Sequence, residues 1–483
     1  MTSTTAVPPP IEVPSTLAEA EEKAKLRKHF GRFDIFFFLI CTIVGLDTLG
    51  AVSSYGAQAF LWLIFMGVFF FLPYAMLTAE LGSTFRDEGG PYVWTKLAMG
   101  RLPASLSAVL YWLSNPIWLG GALTITAYEV FTQFFYDPVK HLGSGGVLAA
   151  QIIFGLVFIW TATWSAILSF GVGKWIPTIG AWVRVLLLSV FTLTVILYAA
   201  KHGVHGVGGS EFSPTATIFF AAVPVLFFNF VGFELPSSAG DEMKDPQKDV
   251  PVTIRRAWLV AILAYGIPIL SILLVLPAAQ ITSLGGFVDA IKTVFTVYGG
   301  QVTQNQNGTV TADLTGLGSV FGGLAALGFI WALLSSGATW LMGADRAQAV
   351  ACYDGGGPRW LGTFSKRYGT PIAVNLTSGI LSTVDHGAGV QAERHRSAVL
   401  QRRPWLGDLN HDAVLPVHLS DALHLAAPVS PRGTTLCGAF RRSRRTRDHH
   451  CDHVLGAHRL GRAGMARPLR RHHGLGRFRR QPA

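Results

Sequence analysis

The stretch Thr42-Ile-Val-Gly-Leu-Asp-Thr-Leu-Gly50 lies in the middle of an apolar run that is long enough to cross a membrane, yet it holds two glycines and a carboxylate. Glycine weakens a helix by about 1 kcal/mol relative to alanine. An ionised Asp at the centre of a bilayer costs at least about 2.5–3.5 kcal/mol. The pattern predicts a helix that is interrupted at mid-length and faces a polar cavity. The alternative is a glycine-packed helix contact in which Asp47 pairs with a neighbour.

A second apolar run contains Pro224-Val-Leu-Phe-Phe-Asn-Phe-Val-Gly-Phe-Glu-Leu-Pro236, again with a glycine and a carboxylate at its centre. If the chain holds two five-helix repeats of opposite orientation, this run is the sixth span and corresponds to the first. Interrupted apolar segments at matching positions of two repeats point to a transporter binding site. Freed N–H groups at the half-helix N-termini can bind a substrate carboxylate, and freed carbonyls can bind an ammonium group or a cation.

The whole composition favours a membrane protein. Only 14% of the residues are charged, whereas soluble globular chains carry about 25%. Eight apolar runs are each long enough to cross roughly 30 Å of hydrocarbon as a helix. They lack the alternation of membrane strands, so we predict an all-α polytopic membrane protein. The predicted spans cover about residues 35–56, 59–81, 104–134, 147–170, 176–200, 215–236, 257–277 and 317–341.

A ninth apolar run begins at Pro371 but ends at Val384, and its 14 residues are too few to cross unaided. Orientation follows from the distribution of Lys and Arg between alternate loops. With the N-terminus in the cytoplasm, the inner segments carry 17 of these residues and the outer segments carry 3. Because cytoplasmic loops are enriched in Lys and Arg, we predict a multi-pass protein of the inner or plasma membrane with a cytoplasmic N-terminus.

The composition changes abruptly near residue 384. From Asp385 to Ala483 there are 18 Arg, no Lys, 7 acidic residues and 11 of the 15 His, so this stretch accounts for the net charge of +11. We therefore divide the chain into a cytosolic leader (1–33), a transmembrane domain of eight spans and part of a ninth (34–384), and an aberrant or disordered tail (385–483).

Arg without Lys, together with His, Gly, Ala and Pro, is typical of a GC-rich gene read in the wrong frame. We expect a frameshift near codon 384, which would truncate the second repeat and leave a non-functional protein as one outcome. The alternative is a genuine basic tail that binds nucleic acid or anionic lipid. The tail has no ordered motif, so nucleic acid is not the partner we predict.

Three separated motifs resemble those of the amino acid–polyamine–organocation permeases. Ala79-Glu-Leu-Gly-Ser-Thr-Phe-Arg-Asp-Glu-Gly-Gly-Pro-Tyr-Val-Trp94 is similar to their loop after span two. Asn229 to Glu234, followed by Asp241-Glu-Met-Lys-Asp-Pro-Gln-Lys-Asp-Val-Pro251, is similar to their span six and the loop after it. Gly343 to Pro358, followed by Tyr368 to Pro371, is similar to their loop between spans eight and nine.

The resemblance covers about residues 30–384 and is greatest to the branch of glutamate/γ-aminobutyrate exchanger-like permeases. It implies the leucine-transporter fold, an inverted repeat that is here truncated in its second half. It also implies secondary active transport of amino acids, as permease or exchanger, by alternating access around spans one and six. The candidate substrate-binding residues are Val44, Gly45, Asp47, Thr48, Gly50, Asn229, Phe230, Gly232 and Phe233.

The first break departs from the family pattern, which has a tight Gly-x-Gly. Here Gly45 and Gly50 are five residues apart and Asp47 lies between them. An anionic Asp47 would repel a substrate carboxylate and attract an ammonium group. The alternative substrate class is therefore an amine or polyamine.

Four further residues are candidates for ion coupling or gating. Glu234 matches the family's Gly-x-Glu carboxylate, and an intramembrane carboxylate is a functional candidate. Arg184 lies where some relatives have a lysine in place of a sodium ion; since arginine stays charged, it could fill a cation site but could not cycle a proton, and the alternative is snorkelling. Lys174 fits an anchor at the cytoplasmic start of span five. Glu80 fits a gating salt bridge rather than a substrate contact, as do Arg86 and Glu88 of the first cytoplasmic loop.

The sequence holds no catalytic triad, no phosphate-binding loop and no metal-ligand spacing, so we predict no enzymatic activity, no cofactor and no metal. The predicted partners are an amino acid or amine substrate, a coupling H⁺ or Na⁺, and membrane lipid.

Overall fold

The computed structural model describes residues 21–26, 28–168, 173–204, 209–276, 281, 286–305 and 310–402. The chain divides into two compact units, Met1–Val399 and Leu400–Ala483, and the account below concerns the first. Its described residues form helices and a single two-stranded hairpin.

The first half of the bundle opens with two short helices that a non-helical segment, residues 44–47, separates. The helices of this half are α1 (Arg32–Ile43), α2 (Thr48–Ser53), α3 (Ala57–Thr84, with a π-helical turn at Gly67–Phe71), α4 (Pro91–Met99), α5 (Arg101–Trp118 and Thr124–Phe134, joined by a π-helical turn at Leu119–Leu123), α6 (Pro138–His141), α7 (Ser144–Ile167) and α8 (Trp175–His202).

The second half also opens with an interrupted segment, in which a short non-helical stretch follows α9 and leads into a 3₁₀ helix. Its elements are a 3₁₀ turn (Gly209–Phe212), α9 (Ala216–Asn229), the 3₁₀ helix Leu235–Glu242, α10 (Pro246–Val275), α11 (Gly286–Phe295) with a 3₁₀ turn (Thr296–Tyr298), the antiparallel strands β1 (Gly300–Gln304) and β2 (Val310–Leu314), α12 (Leu317–Ala351, continued by a π-helical turn at Cys352–Gly356), a 3₁₀ turn (Arg359–Gly362) and α13 (Ile372–Arg402).

Each of the eight predicted spans coincides with helical structure. Five helices are long and apolar enough, by length and composition, to cross a membrane: α3, α7, α8, α10 and α12. Of the other three spans, the first and the sixth are interrupted, and α5 is less apolar. The sequence analysis did not predict α4, α11 or the hairpin, which lie in the connections.

The ninth helix is longer than its apolar run. The hydrophobicity ends at Val384, whereas α13 continues to Arg402. Just beyond this point, the buried ring of His386 lies 3.2 Å from the carbonyl oxygen of Gly120 and 3.3 Å from that of Gln151. These carbonyls belong to α5 and α7, so neighbouring helices supply polar partners to α13 just after its apolar run ends at Val384. Most of the predicted tail lies outside the described residues.

The two interrupted spans meet inside the bundle. α1 packs against α8, α10 and α12, and α2 packs against α9 and α10. Gly232, in the second break, has φ +126° and lies so close to the first break that an added Cβ would be 2.5 Å from Cγ2 of Thr42 and 3.6 Å from Cγ1 of Ile43. Only glycine adopts this conformation readily, so Gly232 allows the two breaks to touch.

Candidate substrate site

The first break exposes the last carbonyls of α1, and each of them finds a side-chain donor from another helix. Because the final carbonyls of a helix have no partner within it, these donors act as a cap built from remote spans. Ser336 donates to the carbonyl of Cys41, Trp340 to that of Thr42, Tyr265 to that of Ile43 and Arg184 to that of Val44. The carbonyls that the sequence analysis assigned to an ammonium group or cation are thus already engaged.

Tyr265 holds both sides of this break. Its hydroxyl donates to the carbonyl of Ile43 and accepts the N–H of Gly45 at 2.9 Å. The hydroxyl of Thr48 donates to the carbonyl of Gly45 at 3.0 Å and closes the turn into α2. Gly50, also on α2, packs against Gly286 of α11. The first break is therefore a defined, hydrogen-bonded structure.

Arg184 is buried between α8, the first break and α12, with 1% of its surface exposed. Besides Val44, its guanidinium donates to the carbonyl of Ala332 and to the hydroxyls of Ser335 and Ser336. Among the described residues it forms no ion pair with a carboxylate. It does not snorkel, because its charge lies within a shell of four oxygen atoms and of Sγ of Cys41, which is 2.8 Å from Nη1. Oxygen atoms are also the ligands that a hard cation requires.

Asp47 lies at the start of α2 with 7% of its surface exposed. Its Oδ2 accepts the indole N–H of Trp118 at 3.1 Å, and its Oδ1 has no hydrogen-bond partner among the described residues. One oxygen of Asp47 is therefore paired, as the helix-contact alternative predicts, and the other is free, as the polar-cavity prediction requires. Trp118 also packs edge-on against Phe228, one residue before Asn229.

Asn229 ends α9 at the second break and is 2% exposed, and neither its oxygen nor its nitrogen has a partner in the described part of the chain. Buried polar atoms are almost always hydrogen-bonded. Orphan atoms at both breaks therefore mark a polar region that a ligand or water would satisfy.

Phe230 and Phe233 are fully buried and stack on Phe71 of α3, with ring centroids 4.4 Å and 4.8 Å apart. Phe230 also contacts Tyr265 edge-on. The predicted aromatic pair thus belongs to a cluster that covers the second break from the side of α3.

Glu234 connects the second break to two other spans. Its carboxylate accepts hydrogen bonds from the hydroxyls of Tyr74 on α3 and Tyr111 on α5, the latter at 2.9 Å. It also accepts the backbone N–H of Gly232 at 3.0 Å. Three donors around one carboxylate fix the geometry of the break.

The remaining candidates lie apart from the breaks. Lys174 forms an ion pair of 3.2 Å with Asp34, so it joins the start of α8 to the start of α1. Glu80 is exposed on α3 and has no ion pair among the described residues. Neither residue contacts the region that holds Asp47 and Asn229.

We call the face of the bundle at which α1 begins the N-face. A buried ion triad closes it: Nη1 of Arg346 lies 2.9 Å from Oε1 of Glu88 and 2.5 Å from Oε1 of Glu242. Burial raises the pKa of both glutamates, and the charge of Arg346 opposes this rise. The triad ties the end of α12 to the loop after α3 and to the 3₁₀ helix after the second break.

A second layer of ion pairs surrounds the triad on the N-face. Lys23 lies 2.7 Å from Asp87 and 3.8 Å from Asp241, so the leader is bonded to the loop after α3 and to the 3₁₀ helix after the second break. The other pairs are Arg32 with Asp249 and Lys96 with Asp354, both at 2.7 Å.

The breaks are closed in this structure. Of the two best-defined cavities among the described residues, one of about 10 Å³ lies on the N-face beside Lys96 and Asp354. The other, of about 220 Å³, lies on the opposite face beside Asp289, Lys292 and β2. Neither is lined by residues of the breaks.

The sequence analysis missed the side chains that hold the breaks from other spans. Tyr74, Tyr111 and Tyr265 are polar aromatics inside apolar runs, which was a signal available in the sequence. Arg346 lies within the quoted Gly343 to Pro358 motif. Their partners are remote in sequence, so no local pattern could assign them.

Comparison with known proteins decides the family, because a family model described as amino acid permease matches residues 30–384. The chain belongs to the amino acid permease family. The family consists of transporters, so the prediction of amino acid or amine transport is confirmed at this level. Together with five membrane-length apolar helices, membership makes the chain a multi-pass membrane protein.

The permease is similar to an uncharacterized transporter of Legionella pneumophila, with 25% identity over 85% of this chain and 84% of the relative. It is also similar to the probable agmatine/putrescine antiporter AguD of Lactococcus lactis, with 25% identity over 74% of this chain and 71% of the relative. Among solved structures, MhsT in complex with L-phenylalanine aligns with a TM-score of 0.50 and 16% identity, over 75% of this chain and 80% of MhsT. The predicted leucine-transporter-like fold is confirmed.

Proposed function

We propose that this permease carries amino acids or related amines across the cell membrane by alternating access around its two interrupted helices, as a permease or exchanger. One observation carries the proposal: the two breaks touch at Gly232, and buried orphan polar atoms of Asp47 and Asn229 lie at them. A small charged solute between the breaks would satisfy these atoms.

Within this class, the geometry favours an amine over a zwitterion. Asp47 places a carboxylate at the start of α2, where the resemblance to the family would put the substrate carboxylate. Oδ1 of Asp47 is free to accept from an ammonium group, whereas a second carboxylate would be repelled. The similarity to a probable agmatine/putrescine antiporter supports the same substrate class.

Arg184 supports transport without sodium. Its guanidinium already bonds to the backbone and hydroxyl oxygens of α1 and α12 that a hard cation would need. The permanent positive charge of Arg184 takes the place of a bound Na⁺ among these oxygen atoms. It therefore favours exchange or proton coupling over sodium coupling.

Orientation and gating complete the proposal. The excess of Lys and Arg on the N-face supports a cytoplasmic N-terminus. The triad of Arg346, Glu88 and Glu242 then acts as a cytoplasmic gate. Glu234 holds the second break to α3 and α5 by its hydrogen bonds, and these helices rearrange when the gate opens. Opening would break the triad and expose the breaks to the cytoplasm.

Substrate counterflow in proteoliposomes tests the proposal. Vesicles loaded with unlabelled agmatine or putrescine should accumulate labelled amine. Unlabelled agmatine should compete with this uptake better than arginine does, and putrescine should compete better than ornithine does. Each pair differs only by the α-carboxylate, so it is a matched control for the role of Asp47. No counterflow with any amine or amino acid would refute the transport proposal. Better competition by the amino acids would refute the preference for amines.

A further inference from the structure

A second polar cluster lies between α12 and α13, and the transport site described above does not use it. It consists of Asp345 and Gln348 on α12 and of Asn375 and Ser378 on α13. Their exposed fractions are 0%, 2%, 1% and 0%. The hydroxyl of Ser378 joins the two helices by its hydrogen bond to Asp345. Gln348 and Asn375 each lie three residues from one of these two, a spacing that makes them neighbours on the same helix surface.

The hydrogen bonds of this cluster leave one carboxylate oxygen free. Trp112 of α5 donates its indole N–H to Oγ of Ser378 at 2.8 Å, and Ser378 donates its hydroxyl to Oδ1 of Asp345 at 2.8 Å. Oδ2 of Asp345 has no partner among the described residues, nor do Oε1 of Gln348 and both polar atoms of Asn375.

No cation in the described part of the chain neutralises Asp345. The guanidinium of its neighbour Arg346 is directed to Glu88, Glu242 and the carbonyl of Gly369. The other titratable groups described on the packed elements do not supply a cation to Asp345. On α5, Tyr111 donates to Glu234 and Arg101 pairs with Asp354. Sγ of Cys352 accepts from the amide of Gln348, the ring nitrogens of His386 face two backbone carbonyls, and the carboxylate of Asp385 lies beside Gly121 of α5.

A single carboxylate in apolar surroundings is costly, and such a group neutralises by taking up a proton. We propose that Asp345 is the proton-binding site of this transporter, with a proton on Oδ2 while α12 and α13 pack as they do here. Opening of the N-face admits water between these helices, and the proton then leaves. The inference rests on the proposed transport function and names its coupling ion.

Glu234 is less suited to this task. Its carboxylate already accepts from two tyrosine hydroxyls and one backbone N–H, so neighbouring groups compensate its burial without a proton. Asp345 accepts from one hydroxyl and keeps an open oxygen. Uptake and release of a proton at Asp345 therefore break no existing hydrogen bond.

Two measurements test the proposal. The first uses the full chain in detergent and dicyclohexylcarbodiimide, which reacts with protonated carboxyl groups in apolar surroundings. Peptide mass spectrometry should find the N-acylurea on Asp345 in the wild-type chain. The second follows the pH of the vesicle lumen with a dye while a substrate gradient drives transport, in wild type, Asp345→Asn and Thr377→Ala. Thr377 lies on α13 next to Ser378, and among the described residues its hydroxyl donates only to the carbonyl of Ala373 on its own helix.

We expect wild type and Thr377→Ala to change the lumenal pH with substrate flux. Asp345→Asn should keep counterflow and lose the pH change. A pH change that persists in Asp345→Asn, or wild-type flux with no pH change, would overturn the proton site and leave the transport proposal intact. Absence of flux in all variants would count against transport itself. In that case, or if Asp345→Asn does not fold, the carbodiimide decides: labelled Asp345 supports the proton site, and unlabelled Asp345 refutes it.

Discussion

Two buried charges, Asp47 and Arg184, determine which ligands the first break accepts. Arg184 occupies the oxygen shell beside Val44, so the C-terminal end of α1 carries a fixed positive charge. Asp47 places a carboxylate at the start of α2, which compensates the amide end of this half-helix when it is ionised. The carbonyl end of one half-helix and the amide end of the other are thus both compensated by the chain itself.

Replacing Asp47 with asparagine should change substrate preference more than turnover. Without the negative charge, we expect the preference for agmatine over arginine to fall by about tenfold, which corresponds to about 1.4 kcal/mol. Competition in the counterflow assay measures this ratio. The control is Asp289→Asn, which removes a carboxylate from the cavity on the opposite face. An unchanged ratio in Asp47→Asn would show that Asp47 does not contact the substrate.

Replacing Arg184 with alanine should create a requirement for sodium. The carbonyls of Val44 and Ala332 and the hydroxyls of Ser335 and Ser336 would each lose a donor. The two hydroxyls and the carbonyl of Ala332 keep one other hydrogen bond, so the carbonyl of Val44 bears the main cost, about 1–3 kcal/mol. We expect a lower unfolding temperature that sodium chloride restores in part and choline chloride does not. Arg184→Lys, which keeps the charge, should show no response to sodium. If neither salt affects Arg184→Ala, the oxygen shell is not a cation site.

At the scale of the elements, the sequence predicted where the helices break but not what holds the breaks. Glycine and carboxylate inside an apolar run are local signals, so the first and sixth spans could be recognised. The caps come from α8, α10 and α12, and Tyr265 reaches Gly45 across 220 residues of chain. Such contacts depend on helix packing, which no single segment encodes. For the same reason, the sequence indicated Glu88 as a salt-bridge residue but not its partners Arg346 and Glu242, and it did not indicate the cluster around Asp345.

Gly232 is the element-level contact most sensitive to substitution. A Cβ there would lie 2.5 Å from Cγ2 of Thr42 and 3.2 Å from Cζ2 of Trp340, and the backbone has φ +126°. We expect Gly232→Ala to separate the breaks, to cost about 1–3 kcal/mol from backbone strain, and to abolish counterflow. Gly145→Ala in α7 is the control, since an added Cβ there meets nothing within 4 Å. Normal transport by Gly232→Ala would mean that the breaks need not touch.

The N-face triad predicts a pH dependence of opening. Burial raises the pKa of Glu88 and Glu242 in the closed state, and exposure on opening returns them toward about 4.3. The closed state therefore binds protons more tightly, so acid favours closure and closure weakens as pH rises through the raised pKa.

We expect the counterflow rate to rise with pH from about 4.3 to the raised pKa of the two glutamates. The rise should be less steep in Glu242→Gln, which removes one of the two acids. The rate as a function of pH measures this, with the exposed Glu80→Gln as control. The variant Asp345→Asn separates any contribution of the proposed proton site. Identical pH profiles in wild type and Glu242→Gln would argue against the triad as the gate.

At the scale of the whole molecule, hydropathy and charge were sufficient for the span list and the fold class. Each apolar run coincides with helical structure, because a segment in lipid must satisfy its backbone internally, but α10 begins 11 residues before the predicted start of its span and α12 ends 10 residues after the predicted end. The end of the ninth helix was not predictable in this way. Its residues after Val384 no longer form an apolar run, yet α13 continues, and the ring of His386 lies against backbone carbonyls of α5 and α7.

The change of composition at residue 384 leads to the last prediction. The family match ends at residue 384, where Lys disappears and Arg and His accumulate. The Legionella pneumophila relative matches 85% of the chain, which includes some residues beyond residue 384, and α13 crosses this residue without a break.

We expect the coding DNA after codon 384 to encode, in another frame, an apolar continuation of α13 and a tenth span. A chain rebuilt in that frame should show more counterflow than the present one. If neither alternative frame encodes apolar segments, the Arg-rich tail is genuine, and binding to anionic vesicles becomes the property to measure, since such a tail attracts anionic headgroups.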